Sequence, residues 1–323
     1  MAAPGKLTAF PNGVSSFGYP VTPQTMLQTW GGGNVLWVCN RSGITNGDGS
    51  SPARPLASIF TATTGALAKT NNLPNGTIFA LPGHSENIGA STNMSTLMGT
   101  SATGWNIVGL GNGASRPTIN WTAAASALLV NLAGTWFRNF VFNLNKTAAT
   151  VVTAAITHSA ADCGMDTVDF LPNTSATQLT TTAITVASGA DTLTYVNCRG
   201  YGETFATNPT DFFTTTAAVN KLVMQDCKFM VALNATTNGA INLANAPTNV
   251  FIDHCTFINK KAASTVAGIA SASTTGEIRD SDFIVIAAGA PSTAMNTPGN
   301  LLLRECYGGQ ITKAGALQGT VAT

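Results

Sequence analysis

One short pattern recurs through the C-terminal two thirds of the 323-residue chain. It runs apolar, any, apolar, two polar residues, a small or apolar residue, any, and often Phe. Val250-Phe251-Ile252-Asp253-His254-Cys255-Thr256-Phe257 is its clearest copy, followed by Leu222 to Phe229 and Leu301 to Gly308. The stretches from Thr135, Cys163, Leu193 and Gly276 fit the same frame. The position of Cys255 is held in turn by Phe140, Val168, Cys198, Cys227, Cys255, Ser281 and Cys306, at intervals of 25 to 30 residues. A second column lies half a repeat away: Leu129, Ile156, Ile184, Phe213, Ile241, Ile269 and Met295. Ile78 and Ile107, 29 residues apart, extend the array towards the N-terminus. Self-similarity at such a period is the signature of a repeat architecture.

Within each repeat the apolar residues alternate with period two, and β-branched and aromatic types dominate, so the units are strands. The alternation breaks at the polar pair. Val250 and Ile252 face one way; Cys255 and Phe257 would face the other if the strand continued. Both sets are apolar, so both belong in the core and the chain must turn at Asp253-His254. The equivalent pairs are Arg138-Asn139, Asp166-Thr167, Val196-Asn197, Gln225-Asp226, Arg279-Asp280 and Arg304-Glu305, and only Val196 is apolar. Asn and Asp suit such corners because they tolerate the left-handed conformation. Short strands joined by tight corners in a coil of this length predict a parallel β-solenoid. Coils then stack at ~4.8 Å and inward residues form ladders, Cys198-Cys227-Cys255 and Phe229-Phe257-Phe283. The regular Leu frame of leucine-rich repeats is absent.

These corners and ladders resemble the right-handed parallel β-helix of the pectate-lyase-like superfamily, in which an Asn-rich two-residue turn joins two of three strands per coil. Residues near the N-terminus add to the likeness. Val35 to Val38, the Gly/Asp loop Gly43 to Arg54 and Pro55 to Ile59 look like the opening strand, loop and capping helix of such chains. Leu56, Ile59, Phe60, Ala66 and Leu67 would share one face of a helix over Pro55–Lys69, with Pro55 in its first turn. Asn75-Gly76, Thr77 to Leu81 and the turn Pro82-Gly83 continue the resemblance. It covers roughly residues 35–308 and implies an all-β fold there, a right-handed parallel β-helix; residues 1–34 lie outside it and, with Pro4, Pro11, Pro20, Pro23 and Gly31-Gly32-Gly33 and no periodic apolar face, read as an extended arm, with 309–323 as a tail. It implies little about function, because one fold hosts many activities.

Composition narrows the function classes. Charged residues are 9% of the chain and the formal net charge is +1, so no basic stripe is present to neutralise phosphates and nucleic acid is not an expected partner. The apolar residues are dispersed among Thr, Ser, Asn and Gly, without the ~18-residue run that a membrane helix needs. The first residues lack the charged-then-apolar pattern of a secretion signal. Six cysteines, Cys39, Cys163, Cys198, Cys227, Cys255 and Cys306, form no close Cys-x-x-Cys pair. They are expected to be reduced core residues, in keeping with synthesis in a reducing host cytoplasm.

Several residues could carry chemistry. Asp226, His254 and Asp280 fall on the same corner position of three successive coils, which would flank an acid/base histidine with two carboxylates. The alternative is a surface ladder of complementary charge, which Asp253 beside Arg279 favours. Asp166-Asp169 and Asp280-Asp282 are the nearest carboxylate pairs. Asp169 and Asp282 align with each other four coils apart, ~19 Å at the standard spacing, too far for the ~10 Å that glycoside hydrolysis allows. Asp48 in Gly47-Asp48-Gly49 offers one carboxylate where calcium needs several oxygens. Gly109 to Gly113 sits at a coil turn rather than before a helix, which argues against a phosphate cradle. The expectation is no catalytic residue, no metal and no cofactor; were the chain an enzyme, Asp226, His254, Asp280 and Asp282 would be the candidates.

Three function classes fit: a phage capsid decoration (cement) protein, a phage tail spike or fibre that binds or cleaves polysaccharide, and a secreted polysaccharide lyase or hydrolase. The third wants a secretion signal and a carboxylate-lined groove. The second usually adds adaptor and trimerising modules, for which the arm and tail leave little room. The first ranks highest: a surface of Thr, Ser, Asn and Ala loses little side-chain entropy on packing and buries few unpaired ions. The expected partners are identical subunits, as a homotrimer, and a major capsid or other virion protein reached by the 1–34 arm.

Overall fold

The computed structural model describes residues 15–16, 19–20, 35–41, 47–144, 151–173, 179–202, 210–233, 239–261, 265–285, 294–296 and 300–310. The arm and tail expectations therefore lie almost wholly outside the described residues. Within the arm, Ser15–Ser16 pairs antiparallel with Tyr19–Pro20. From Val35 onward the chain winds as a right-handed parallel β-helix, the fold class expected. Three long sheets of ten, nine and eight strands run along it, and from Gly76 onward the coils visit them in the same order. One coil shows the plan: Leu222–Gln225 in the first sheet, Lys228–Val231 in the second, Ile241–Leu243 in the third.

The corner between the first and second sheets is made as the polar pairs predict. The second residue of every pair is left-handed: Asn139, Thr167, Asn197, Asp226, His254, Asp280 and Glu305 have φ between 47 and 59°. The corner does not interrupt the ladder. Asn197 N–H donates to Gln225 O at 3.0 Å and Asp226 N–H to Asp253 O at 3.1 Å. The turning residues from Asn139 to Asp280 thus each satisfy their own N–H on the next coil, which a buried amide requires.

Two ladders follow. The Cys255 column, Phe140 through Cys306, is buried along its length. Ser281 is tolerated in it because its Oγ donates to Arg279 O (2.7 Å) and accepts from Cys255 N–H (3.0 Å). Phe229, Phe257 and Phe283 stand opposite one another in register, with ring centroids 5.9 and 5.1 Å apart. Full burial of each ring contributes ~1.5–3 kcal/mol. All six cysteines are free and buried, as expected.

Ile78 and Ile107 pair, as expected, and do so in the first sheet, where they extend the column that precedes the corner. Two expectations are corrected. In the third sheet Ile156 pairs with Leu128, not Leu129, and Ile241 with Gly268, not Ile269. Leu129 and Ile269 face outward; Gly268 takes the inward place because Phe283 and the Met295 sulfur fill the volume a side chain would need. The helix over Pro55–Lys69 is reduced to a 3-10 turn at Leu67–Thr70, the rest being bends and turns. Glu86 explains this. Its carboxylate accepts Ile59 N–H (2.7 Å), Phe60 N–H (3.0 Å) and the Ser58 hydroxyl, which holds the segment in a turn. The five residues expected on the buried face, Leu56, Ile59, Phe60, Ala66 and Leu67, are nonetheless buried and close the first coil.

A second apolar cluster lies outside the solenoid interior. Val35, Trp37, Cys39, Phe79 and Leu81 gather on the outer side of the first sheet, with Trp37 and Phe79 stacked at 4.7 Å.

Candidate functional site

The corner column brings the candidate acid/base residues together, with Asp253 at its centre. Asp226, His254 and Asp280 occupy successive left-handed corners with exposed side chains. His254 does not bridge its two column neighbours. Its Nδ1 lies 2.9 Å from Asp253 Oδ1, the residue before it in the same coil. Asp253 is buried, and Arg279 from the next coil grips it twice, Nε to Oδ1 at 2.8 Å and Nη2 to Oδ2 at 2.9 Å. Arg279 also lies over the Phe251 ring, 5.0 Å from its centroid. The guanidinium hydrogen bonds, with a smaller contribution from His254, hold the Asp253 carboxyl below its ordinary range despite burial. Bidentate pairing of this kind fixes geometry as well as charge.

Ligand atoms of Asp253, His254 and Asp280 all lie within 4.8 Å of one another. The donor set does not fit a divalent cation. Both Asp253 oxygens already accept from Arg279, and a cation there would sit against a guanidinium. What remains is an exposed imidazole backed by a carboxylate: a group able to exchange protons, with no nucleophile brought to it among the described hydrogen bonds.

Two further carboxylates also pair with an arginine from another coil. Asp166 accepts from Arg138 at 3.1 Å, and Arg138 covers the Trp136 ring at 4.7 Å. Asp169 pairs with Arg116, whose other amino group donates to the carbonyls of Phe140 and Thr167, both at 2.6 Å. Asp282 faces outward on the second sheet, opposite Thr256 and Tyr307, and burial raises its pKa. Pairing runs Asp169–Arg199–Lys228–Thr256–Asp282, four coils as expected. Asp48 accepts from Ser50, which lowers its pKa, and lies 3.0 Å from Arg54. Gly111 and Gly113 have positive φ, and Asn139 Nδ2 donates to Gly109 O and Gly111 O, as befits a coil turn.

Among the buried polar residues that were not singled out from sequence are Glu86 and His158. Glu86 stands in the inward column of Ile119 and Phe142; besides the turn it organises, it lies 3.1 Å from His84 Nε2. The alternation His84-Ser85-Glu86 carried that signal. His158 stands in the inward column of Val130 and Val186. It is fully buried, its ring 5.8 Å from Tyr195, and among the described residues neither ring nitrogen nor the Tyr195 hydroxyl has a hydrogen-bond partner. Desolvation lowers the His158 pKa to about 3. Searches against family models, curated proteins and solved structures find no match to this chain.

Proposed function

We propose that this chain is a structural component of a virus particle, a phage protein that decorates the capsid shell. The observation that carries the reading is how its outer carboxylates are used. Asp166, Asp169 and Asp253 each bind an arginine from another coil, so charge that could line a catalytic groove instead staples coil to coil. With charged residues only 9% of the chain, most of the outer surface is small and polar, suited to broad contacts that leave few ions unpaired.

The competing reading is a spike that cleaves polysaccharide. Incubating the purified protein with capsular and cell-wall polysaccharides of the host discriminates the two. The expected outcome is no released oligosaccharide. Release that disappears in His254→Ala or Asp282→Asn would overturn the coat reading in favour of the spike.

A further inference from the structure

The glycine cluster Gly109 to Gly113 plays no part in the proposed role, and it ends on an Asn-Gly step. An asparagine before glycine is open to attack by the backbone nitrogen that follows it, because glycine puts no side chain in the way. Whether the step reacts depends on what the fold does with the glycine amide. Two Asn-Gly steps have both residues described, and the fold treats them differently. Gly76 is buried in strand Gly76–Ala80, in register with Trp105. Asn75 before it is left-handed at φ 55°, its N–H donates to Thr103 O at 2.7 Å, and its Oδ1 packs against Gly104. Asn112 and Gly113, by contrast, are both exposed. Gly113 opens the short 3-10 turn Gly113–Ser115, where a first N–H has no partner within the turn. Among the described hydrogen bonds that N–H donates to nothing. A Cβ at Gly113 would meet no atom within 4 Å.

The turn is anchored at its shoulders. Asn139 Nδ2 donates to Gly109 O (2.8 Å) and Gly111 O (3.0 Å), and Gly83 N–H donates to Ser115 O (2.7 Å). Ser115 also clamps Asn112: its Oγ accepts Asn112 N–H at 3.0 Å and donates to Asn112 O at 2.8 Å. Asn112 is thereby held extended, at ψ 154°. Ring closure needs that angle to turn so that Cγ meets the Gly113 nitrogen. We propose that Asn112-Gly113 is a deamidation site, at which the chain modifies itself with water as the co-reactant, and that the Ser115 clamp sets its rate. Hydroxide removes the Gly113 amide proton and the nitrogen attacks Asn112 Cγ. The new N–Cγ bond forms and the Cγ–Nδ2 bond breaks. The side-chain nitrogen takes a proton from water and leaves as ammonia, which returns the hydroxide and leaves a five-membered imide. Water then opens either imide carbonyl, giving aspartate or isoaspartate, and nothing is oxidised or reduced. The inference is independent of where the protein works.

Incubating the full-length protein at mildly alkaline pH tests it, with both steps followed by peptide mapping that resolves isoaspartate from aspartate. In the native protein Asn112 should convert at least about tenfold faster than Asn75, because an amide buried in a strand is released only by a deeper opening. In urea the two rates should converge. Ser115→Ala should speed conversion at Asn112, and Gly113→Ala, whose added methyl meets open space but crowds the attacking nitrogen, should slow it. Equal rates at the two steps of the native protein overturn the proposal, as does an Asn112 that stays intact in the native protein while the urea-unfolded chain converts. A preference for Asn112 that persists in urea overturns it equally, since it would then come from neighbouring residues and not from the turn. A Ser115→Ala variant that reacts no faster than the wild type removes the clamp.

Discussion

Phe212 fills the space that a side chain at Gly200 would need. A Cβ on Gly200 would fall inside the van der Waals envelope of the Phe212 ring. Gly200 stands in register between Phe170 and Phe229, where the inward column otherwise carries phenylalanine. The Phe212 ring comes from the third sheet to take that place, 6.0 Å from Phe170 and 4.8 Å from Phe229. The aromatic stack is thus continuous although the sequence column is broken.

This relationship predicts a rescue. Phe212→Ala should cost ~3–5 kcal/mol by leaving a cavity, and Gly200→Ala ~1–3 kcal/mol by overpacking. Gly200→Phe combined with Phe212→Ala returns a ring to the column from the other sheet, so denaturant midpoints should show strong positive coupling. Additive losses would mean the two residues do not share one volume.

The cysteine ladder predicts slow chemistry and a steep response to charge. Cys227 and Cys255 are raised chiefly through hydrogen bonding within the ladder, and Cys163, buried outside that column, is raised by burial to about 11. Thiolate is the reactive form, so a disulfide reagent at pH 8 should label these residues only as the protein unfolds. Cys227→Ala should be mild, whereas Cys227→Asp places an unpaired charge in the core and should abolish folding or cost more than ~4 kcal/mol. Rapid labelling of the native chain would argue against the inward ladder.

His158 predicts an acid limb. Its folded pKa of about 3 lies below the ordinary 6.5, so as pH falls the unfolded chain takes up the proton first. Stability from this residue is therefore unchanged above pH 6.5 and declines between 6.5 and 3, by at most about 5 kcal/mol. His158→Phe should flatten that slope in urea titrations at pH 7 and pH 4. An unchanged slope would show that the imidazole is hydrated in the folded protein.

Asp253 predicts the opposite residue type with the same direction of loss. Its folded pKa is lowered from 3.8, mainly by Arg279, so its contribution is present above 3.8 and vanishes as pH falls below the folded value. Asp253→Asn and Arg279→Ala should each lower Tm at pH 7 by more than Asp226→Ala. The deficit of Asp253→Asn should shrink towards pH 3. Equal Tm values for the three variants at pH 7 would remove the pair from the stabilising frame.

The corners were legible because their chemistry is local: a left-handed residue between two short strands selects Asn, Asp or another polar type within a few positions. The long-range devices were not. Leu128-Leu129 and Gly268-Ile269 each place an apolar residue outward beside an inward one, and period two alone does not choose between them. Pro55 to Lys69 reads as a helix until Glu86, 26 residues beyond Phe60, captures the amides of Ile59 and Phe60. At the candidate site the column of Asp226, His254 and Asp280 was readable from spacing. That His254 turns to Asp253 rather than to its column neighbours goes with Arg279 covering Asp253 on the outer face of the first sheet, a packing choice that spacing does not express.

The coat reading is tested most directly by counting molecules of this chain in purified phage particles with quantitative mass spectrometry against labelled peptide standards. A decoration protein should be present in hundreds of copies per particle, in fixed ratio to the major capsid protein. A handful of copies per particle would place the chain in the tail, and its absence from particles would contradict a virion role altogether.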